Sequence, residues 1–234
     1  MNDSLALTRL LQLASPFLPV GAFSYSQGLE AAVAAGSVHD AVSAQRWILD
    51  CLELGLARFE APILLRLQSG WASRDIEIVR CWNSRFLASR ESAELYAETV
   101  QMGYSLRRLL CDLDPRGAAD NSGGAADFAA LQEIELLSYP AAFGFAAAQW
   151  QVASGDAVTA YLWSWTENQV SAAIKAVPLG QVAGQRILLA AQPAVTRSAA
   201  AALRLVDDEL ANLLPALAIA SARHETQYSR LFRS

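Results

Sequence analysis

Residues 91–111, ESAELYAETVQMGYSLRRLLC, decide the fold class of this 234-residue chain. Their apolar side chains recur at helical spacing, as at Leu95, Met102, Leu106 and Leu109, which gives one apolar face to a helix. Alternation of apolar and polar residues, the pattern of a half-buried strand, is scarce in the rest of the chain. The sequence therefore predicts an all-helical protein.

Composition extends this prediction to the whole chain. The 45 alanines are interspersed along it, and alanine loses no side-chain entropy in a helix. Hydrophobic residues make up 53% of the chain and charged residues only 18%, which is enough apolar material for one large core. No linker-like shift in composition separates two cores. We expect an all-α, single-domain bundle of about ten short helices over residues 1–234.

Apolar spacing gives the bounds of these helices, and proline or glycine separates most of them. Pro193 and Pro215 mark or bend the later helices, and apolar residues spaced between positions 203 and 214 indicate a long last helix. The predicted helices span residues 3–13, 22–34, 40–57, 60–69, 73–88, 91–111, 126–138, 141–154, 156–176, 180–191 and 196–220.

Residues 112–127 predict a mobile surface loop. Pro115, Gly117, Asn121 and Gly123 lie in a segment that cannot easily bury a face. The amphipathic helices on either side are too few to enclose separate cores. We therefore expect the loop to lie within one domain.

Charge and cysteine content exclude several classes of protein. The net charge of -5 argues against nucleic acid as a partner, because phosphate neutralisation requires a basic face. The uncharged windows 10–29 and 136–155 contain prolines and amides, which argues against a membrane span. No targeting segment is evident. Three cysteines without disulfide-framework spacing indicate reduced thiols in the cytoplasm: Cys51, Cys81 and Cys111.

Catalytic and metal-binding motifs are missing from the sequence. It contains no Walker phosphate loop, no dinucleotide-binding glycine fingerprint and no nucleophile elbow. A catalytic triad would depend on His39 or His224, the only two histidines. There is no C-x-x-C or H-E-x-x-H pairing for a structural or catalytic metal. We expect no enzymatic activity, no catalytic residues and no stable metal site.

Lys175 is the only lysine, because the other seventeen basic side chains are arginines. It lies near the end of a predicted helix, in register with Glu167 and Ser171. Two interpretations stay open: a cation that stabilises the negative end of the helix dipole, or a contact with a partner protein.

The last fourteen residues, Ser221–Ser234, carry a net charge of +2 and so oppose the acidic body. With Tyr228 and Phe232 among its arginines, this arm is suited to an acidic groove. A solvated, frayed terminus is the alternative. His224 beside Glu225 raises a further hypothesis of a transient nickel site, although adjacent helical residues point in different directions.

Small and hydroxyl side chains fill the run GAFSYSQGLE at residues 21–30. They permit close approach of another helix, and Ser24 is a candidate for the helix cap. A phosphate cradle would require a basic side chain, and none lies between Arg9 and Arg46. We therefore interpret the run as a packing element.

Three long segments together resemble the urease accessory protein F family. They are residues 10–30, LLQLASPFLPVGAFSYSQGLE, residues 161–181, YLWSWTENQVSAAIKAVPLGQ, and residues 223–234, RHETQYSRLFRS. The segment from Arg90 to Gly103 and the run YPAAFG from Tyr139 also resemble that family. The resemblance covers nearly the whole chain in the same order, with no counterpart for the loop at 112–127.

The resemblance implies an all-helical, non-enzymatic chaperone that helps to assemble the nickel centre of urease. In that family the protein binds accessory protein D, also called H, and the pair recruits the GTPase accessory protein G. Nickel insertion into the urease apoprotein is coupled to GTP hydrolysis. The resemblance also implies a homodimer within the complex and an internal, water-filled route through which nickel passes transiently, with no stably bound cofactor.

Residue roles follow from the same resemblance. Glu30 and Lys175 are expected to contact the GTPase. The C-terminal interaction arm, residues 221–234, is expected to contact accessory protein D or G. Its candidate partner-binding residues are Arg223, His224, Glu225, Tyr228, Arg230, Leu231, Phe232 and Arg233.

Two other functions compete with a scaffolding role. A GTPase-activating protein would supply one of the seventeen arginines to the nucleotide site of the GTPase. A helical small-molecule sensor would require a DNA-binding or signalling element, which the sequence does not contain. The sequence excludes neither the scaffold nor the activating protein.

Overall fold

Eleven α-helices and no β-strand make up residues 3–113 and 123–234, which the computed structural model describes. The all-α bundle predicted from the sequence is confirmed. None of the described helices combines the length and apolarity that a bilayer crossing requires. The helices are α1 (Asp3–Ala14), α2 (Leu29–Ala34), α3 (Ala41–Asp50), α4 (Glu60–Ser73), α5 (Ile76–Ala88), α6 (Ala93–Leu113), α7 (Gly123–Glu133), α8 (Tyr139–Gln149), α9 (Ser154–Ala176), α10 (Gln181–Ala202) and α11 (Pro215–His224).

Helix α8 lies at the centre of the bundle. Its residues from Pro140 to Ala147 are all buried, as expected for a helix that is apolar on every side. It packs mainly on α4 and α6. Gly144 permits close contact with α4, because a Cβ atom there would lie 3.1 Å from the backbone nitrogen of Gln68. The core thus depends on small residues at the helix crossings.

A second apolar cluster joins the end of the chain to the body. Leu29 of α2, Ile48 of α3, Ala173 of α9 and Ile187 of α10 belong to the same cluster as Phe232, and all five are buried. Phe232 is the side chain that carries the C-terminal segment into this cluster. The segment is therefore part of the folded body.

The predicted helix 22–34 is interrupted. Gly21 and Gly28 have φ angles of +80° and +78°, in the left-handed region that favours glycine. Only one short turn follows Gly21, and α2 begins after Gly28. Ser24, predicted to cap this helix, makes no capping hydrogen bond.

The predicted break near Pro193 is wrong, because α10 continues through this residue. Proline removes one N–H group from the helix ladder and leaves the carbonyl of Leu189 without its partner. Leu189 is exposed, so water can satisfy that carbonyl group. Helix α10 therefore tolerates the proline on its solvent side.

Residues 203–214, predicted as helix, form an irregular segment that we call the strap. Its only helical element is a short turn at Asp207–Glu209. Arg66 of α4 holds the strap by donating to the carbonyl of Leu205 at 2.6 Å and to Asp207 Oδ1 at 2.9 Å. These side-chain hydrogen bonds to the strap fix it in a non-helical path.

The predicted loop 112–127 is helical at both ends. Helix α6 continues to Leu113 and α7 begins at Gly123. Phe128 and Leu131 of α7 are buried in the main core, which anchors that helix. The middle of the predicted mobile loop, residues 114–122, lies outside the described residues.

Candidate functional site

Three glutamates form an acidic cradle on the surface of the bundle. Glu30 lies on α2, and Glu94 and Glu98 lie four residues apart on α6, which places them on one face of that helix. Residues 225–234, which we call the tail, follow α11 and lie along this cradle. The basic arm identified in the sequence therefore occupies an acidic groove of its own chain.

Glu30 binds the tail backbone. The N–H of Leu231 donates to Glu30 Oε1 at 2.7 Å, and the N–H of Phe232 donates to Oε2 at 3.0 Å. Hydrogen bonds to a carboxylate are roughly twice as strong as neutral ones. Since Glu30 is only 7% exposed, its charge is satisfied by the tail and not by solvent.

His224 joins α11 to two members of the cradle. Its Nε2 lies 3.2 Å from Glu30 Oε2, and its Nδ1 lies 2.7 Å from Glu94 Oε2, while the side chain is fully buried. Each carboxyl group can form a hydrogen bond with the ring nitrogen that faces it, and which nitrogen donates depends on the imidazole tautomer. The geometry thus places one imidazole between two carboxyl groups.

Two further ion contacts hold the start and the middle of the tail. Arg230 donates to Glu94 Oε1 at 2.7 Å. Glu225 Oε1 accepts from the N–H of Ala93 at 2.7 Å, at the first turn of α6, where free N–H groups and the helix dipole favour an anion. Glu225 therefore turns away from His224.

Glu98 holds the end of the tail. Its Oε2 accepts from Ser234 Oγ at 2.8 Å, and its Oε1 accepts from Gln27 Nε2 at 2.6 Å. Burial raises the pKa of the Glu98 carboxyl to about 7. The N–H of Ser26 also donates to the Ser234 carbonyl at 2.6 Å. Both the side chain and the backbone of Ser234 are therefore hydrogen-bonded to the body of the protein.

Four side chains beside the docked tail face solvent and form what we call the docking face. Phe23 and Leu231 are 65% and 71% exposed, and Lys175 and Arg233 are exposed cations. Together they line a cleft of about 540 Å³. Lys175 Nζ lies 5.7 Å from the ring centre of Phe232, so this cation rests on the aromatic ring that anchors the tail.

The structure brings together most of the residues singled out in the sequence. Glu30, His224 and Phe232 are buried beneath or within the docked tail. Arg223 and Tyr228 are exposed away from the cradle contacts. The exposed members of the predicted partner-binding set are Lys175, Arg223, Glu225, Tyr228, Arg230, Leu231 and Arg233.

Sequence reasoning missed the receptors of the tail on α6. Glu94 and Glu98 lie in the segment that decides the fold class, and their four-residue spacing was a visible signal of a shared face. Nothing local pairs them with residues more than 120 positions later. The packing interpretation of the 21–30 run agrees with the structure, because a Cβ atom on Gly28 would lie 3.0 Å from the backbone nitrogen of Ser221.

The hypothesis of a nickel site at His224 and Glu225 does not fit the geometry. The histidine points into the cradle, and the glutamate points to the start of α6. Across residues 3–113 and 123–234, no group of three or more histidine, cysteine, aspartate or glutamate side chains is placed to hold a metal ion.

A cavity of about 140 Å³ lies inside the bundle next to Glu98. Arg90 and Glu60 form an ion pair at 2.7 Å in its wall, and the Tyr161 hydroxyl donates to Glu60 Oε2 at 3.0 Å. Arg90 Nε is buried there without a hydrogen-bond partner among the described residues. A cavity of this size, with an ion pair in its wall, can hold several water molecules.

Comparison with known proteins identifies the family. The family model described as UreF matches residues 38–192, more than half of the chain. The chain belongs to the UreF family. Urease accessory protein UreF of Dechloromonas aromatica (strain RCB) is 52% identical over 235 residues and covers 100% of both chains.

Two further UreF relatives are similar to this chain over nearly its whole length. Urease accessory protein UreF of Azoarcus sp. (strain BH72) is 56% identical over 230 residues, with 98% of this chain and 96% of the relative covered. The protein of the same name from Methylobacillus flagellatus is 50% identical over 234 residues, with 100% of both covered. The resemblance found in the three sequence segments is confirmed at the level of the family.

Proposed function

We propose that this urease accessory protein is a maturation chaperone that, together with accessory protein D, recruits the GTPase accessory protein G. The complex supports GTP-dependent insertion of nickel into the urease apoprotein. The chain acts in the cytoplasm as a homodimer within the complex, without catalytic residues or a stably bound cofactor of its own. Membership of the UreF family supports the role in urease maturation.

The docking face is the observation that carries this proposal. Lys175 and Arg233 place two cations beside the exposed apolar side chains of Phe23 and Leu231. Such a surface suits a partner that offers carboxylates and apolar side chains, because desolvated apolar anchors and arginine contribute most of the binding energy at interfaces. Glu30 and His224 act by holding the tail that supplies part of this face.

Nickel is cargo in this proposal. A subunit that transfers a metal must release it, so a poor set of soft ligands is an advantage. The cavity beside Glu98, whose mainly apolar wall includes Glu60 and Arg90, is the space that transient passage of hydrated nickel through the bundle would use. Retention would require several ligands that converge on one point.

Light scattering after size-exclusion chromatography tests the proposal directly. The chain is mixed with accessory protein D, with and without G, GTP and nickel, and we expect a D complex that recruits G. Lys175→Glu should weaken recruitment of G at least tenfold, whereas Arg46→Glu, an exposed reversal on α3, should leave it unchanged. Failure to bind either partner would overturn the proposed function. Unchanged recruitment by Lys175→Glu would remove Lys175 from the contact.

A GTPase-activating role is the second candidate, because Arg233 lies exposed on the docking face. An arginine supplied in trans accelerates hydrolysis by roughly 10³–10⁵-fold. Single-turnover GTP hydrolysis with Arg233→Ala separates the two roles. A scaffold leaves the hydrolysis rate within a few-fold of that with the unaltered chain, whereas an arginine finger at this position loses its acceleration.

A further inference from the structure

We propose that the docked tail is a seal, which closes the interior cavity towards the cradle and opens it there when the tail is released. The wall at this point includes Glu98 and Gln27, and Ser234 covers it from outside. The use of the seal for cargo rests on the proposed function, whereas the seal itself can be tested on this chain alone.

Glu98 lies between two spaces in the molecule. On one side it lines the interior cavity of about 140 Å³, together with Gln27 and Thr99. On the other side it lines a surface cleft of about 500 Å³ at the cradle, together with Glu94 and Arg233. Glu98 is therefore part of the wall that separates the cavity from the cleft.

The end of the tail covers this wall. Ser234 Oγ donates to Glu98 Oε2 at 2.8 Å. The Ser234 carbonyl accepts from the N–H groups of Ser26 and Gln27 at 2.6 and 3.1 Å, and from Ser26 Oγ at 2.6 Å. Ser26 and Ser234 have no exposed surface. Departure of the tail would therefore expose these donors and the Glu98 carboxyl group to water together.

Gln27 joins the tail to the opposite side of the cavity. Its backbone has a φ angle of +51°, which is unfavourable for a residue with a side chain. In this conformation its N–H donates to Ser234 and its side-chain amide donates to Glu98. The amide oxygen accepts from Trp165 Nε1 of α9 at 2.6 Å, and Trp165 also lines the cavity. The docked tail thus supplies one of the contacts that hold this turn in place.

Other residues of the tail anchor it to the body. Phe232 belongs to the second apolar cluster, and Glu30 accepts from the N–H groups of Leu231 and Phe232. Anchoring accounts for these contacts but not for the closure of the wall by Ser234. Because anchor and closure use different residues, the tail can be released without a change in the cavity wall.

The cavity also reaches the docking face, because Phe23 lines both the cavity and the cleft of that face. Leu231 and Arg233 of the tail line the same cleft. A partner that binds there holds the tail in its docked position and keeps the cradle side of the cavity closed. Under the proposed function, cargo that enters the cavity from this partner is then not lost through the cradle.

Thiol labelling measures whether the tail closes the cavity. Thr99→Cys places a thiol in the cavity wall next to Glu98, in a full-length chain that also carries Cys81→Ser and Cys111→Ser. Cys51 stays as an internal reference, because burial raises the pKa of its thiol to about 12 and reactive thiolate is scarce. Mass spectrometry follows the reaction of each thiol with methyl methanethiosulfonate.

Phe232→Asp should release the tail, because it places a charge in an apolar cluster. We expect the thiol at position 99 to react at least about tenfold faster, while Cys51 stays unlabelled. Tyr228→Asp is the matched control, because it makes the same kind of change at a fully exposed aromatic residue of the tail. The control should label as slowly as the chain without a tail substitution.

Ser234→Asp decides the test if Phe232→Asp also exposes Cys51. It places a second carboxyl group against Glu98 and leaves Phe232 in its cluster, so only the end of the tail is released. Labelling at position 99 that is no faster in either variant than in Tyr228→Asp would overturn the seal. That result would leave the proposed function standing, because the measurement uses no accessory protein.

Discussion

Glu98 is a buried carboxyl group, held between Gln27 and the last residue of the tail. Its charged form is disfavoured by burial, so the folded state prefers it protonated, and its pKa is raised from 4.5 to about 7. An unfolded chain releases this proton at lower pH. Glu98 therefore adds stability that is fully present below pH 4.5 and is lost as the pH rises through about 7.

Urea unfolding at a series of pH values tests this dependence of stability on the protonation of Glu98. Glu98→Gln keeps a neutral side chain of the same shape, so its free energy of unfolding should fall less between pH 4.5 and 7 than that of the unaltered chain. The difference should be about 3 kcal/mol, from 1.36 kcal/mol per pKa unit. Parallel pH profiles for the two proteins would show that Glu98 titrates normally.

His224 lies between Glu30 and Glu94 and forms a hydrogen bond with each, so its loss leaves two largely buried carboxyl groups without this partner. We expect His224→Gln to lower the free energy of unfolding by about 3 kcal/mol. The N–H groups of Leu231 and Phe232 should lose protection in hydrogen exchange measured by mass spectrometry. His39→Gln is the matched control, because His39 is exposed. This substitution should leave the protection of the tail unchanged. Unchanged tail protection in His224→Gln would contradict a role for the His224 side chain in holding the tail.

At the level of elements, local signals predicted most helices and failed where distant contacts decide. Helices α6 and α9 follow from apolar spacing alone, since each buries one face along its whole length. The strap has equally regular spacing, but its backbone is irregular and is bound by Arg66, more than 130 residues earlier. The spacing of apolar residues indicates which side chains could share one face of a helix. It does not indicate whether another element of the fold packs against that face.

The candidate site was also predictable only in part, because it too depends on contacts between distant parts of the chain. The basic character of the tail and its need for an acidic groove are readable in the sequence. The identity of that groove is not, because Glu30 and Glu94 meet His224 across 194 and 130 positions of the chain. Long-range carboxylate pairs of this kind leave no periodic signal.

For the whole molecule, the tail links the stability of the bundle to the surface offered to partners. Phe232 fills a cluster built by α2, α3, α9 and α10, and its backbone N–H is bound by Glu30. Leu231 and Arg233, its neighbours, project from the docking face. A partner that binds this face therefore binds the docked form of the tail and stabilises it by linkage.

Substitution of two aromatic residues of the tail tests this linkage. Phe232→Ala should lower the free energy of unfolding by about 3 kcal/mol, because it empties a buried aromatic site, and should also weaken recruitment of G. Tyr228→Ala should change stability by less than about 0.5 kcal/mol, because Tyr228 is fully exposed. Denaturant unfolding of the full-length variants gives both values. Equal, near-zero effects would mean that the tail is frayed in solution, and the docking face would then have to form only when a partner arrives.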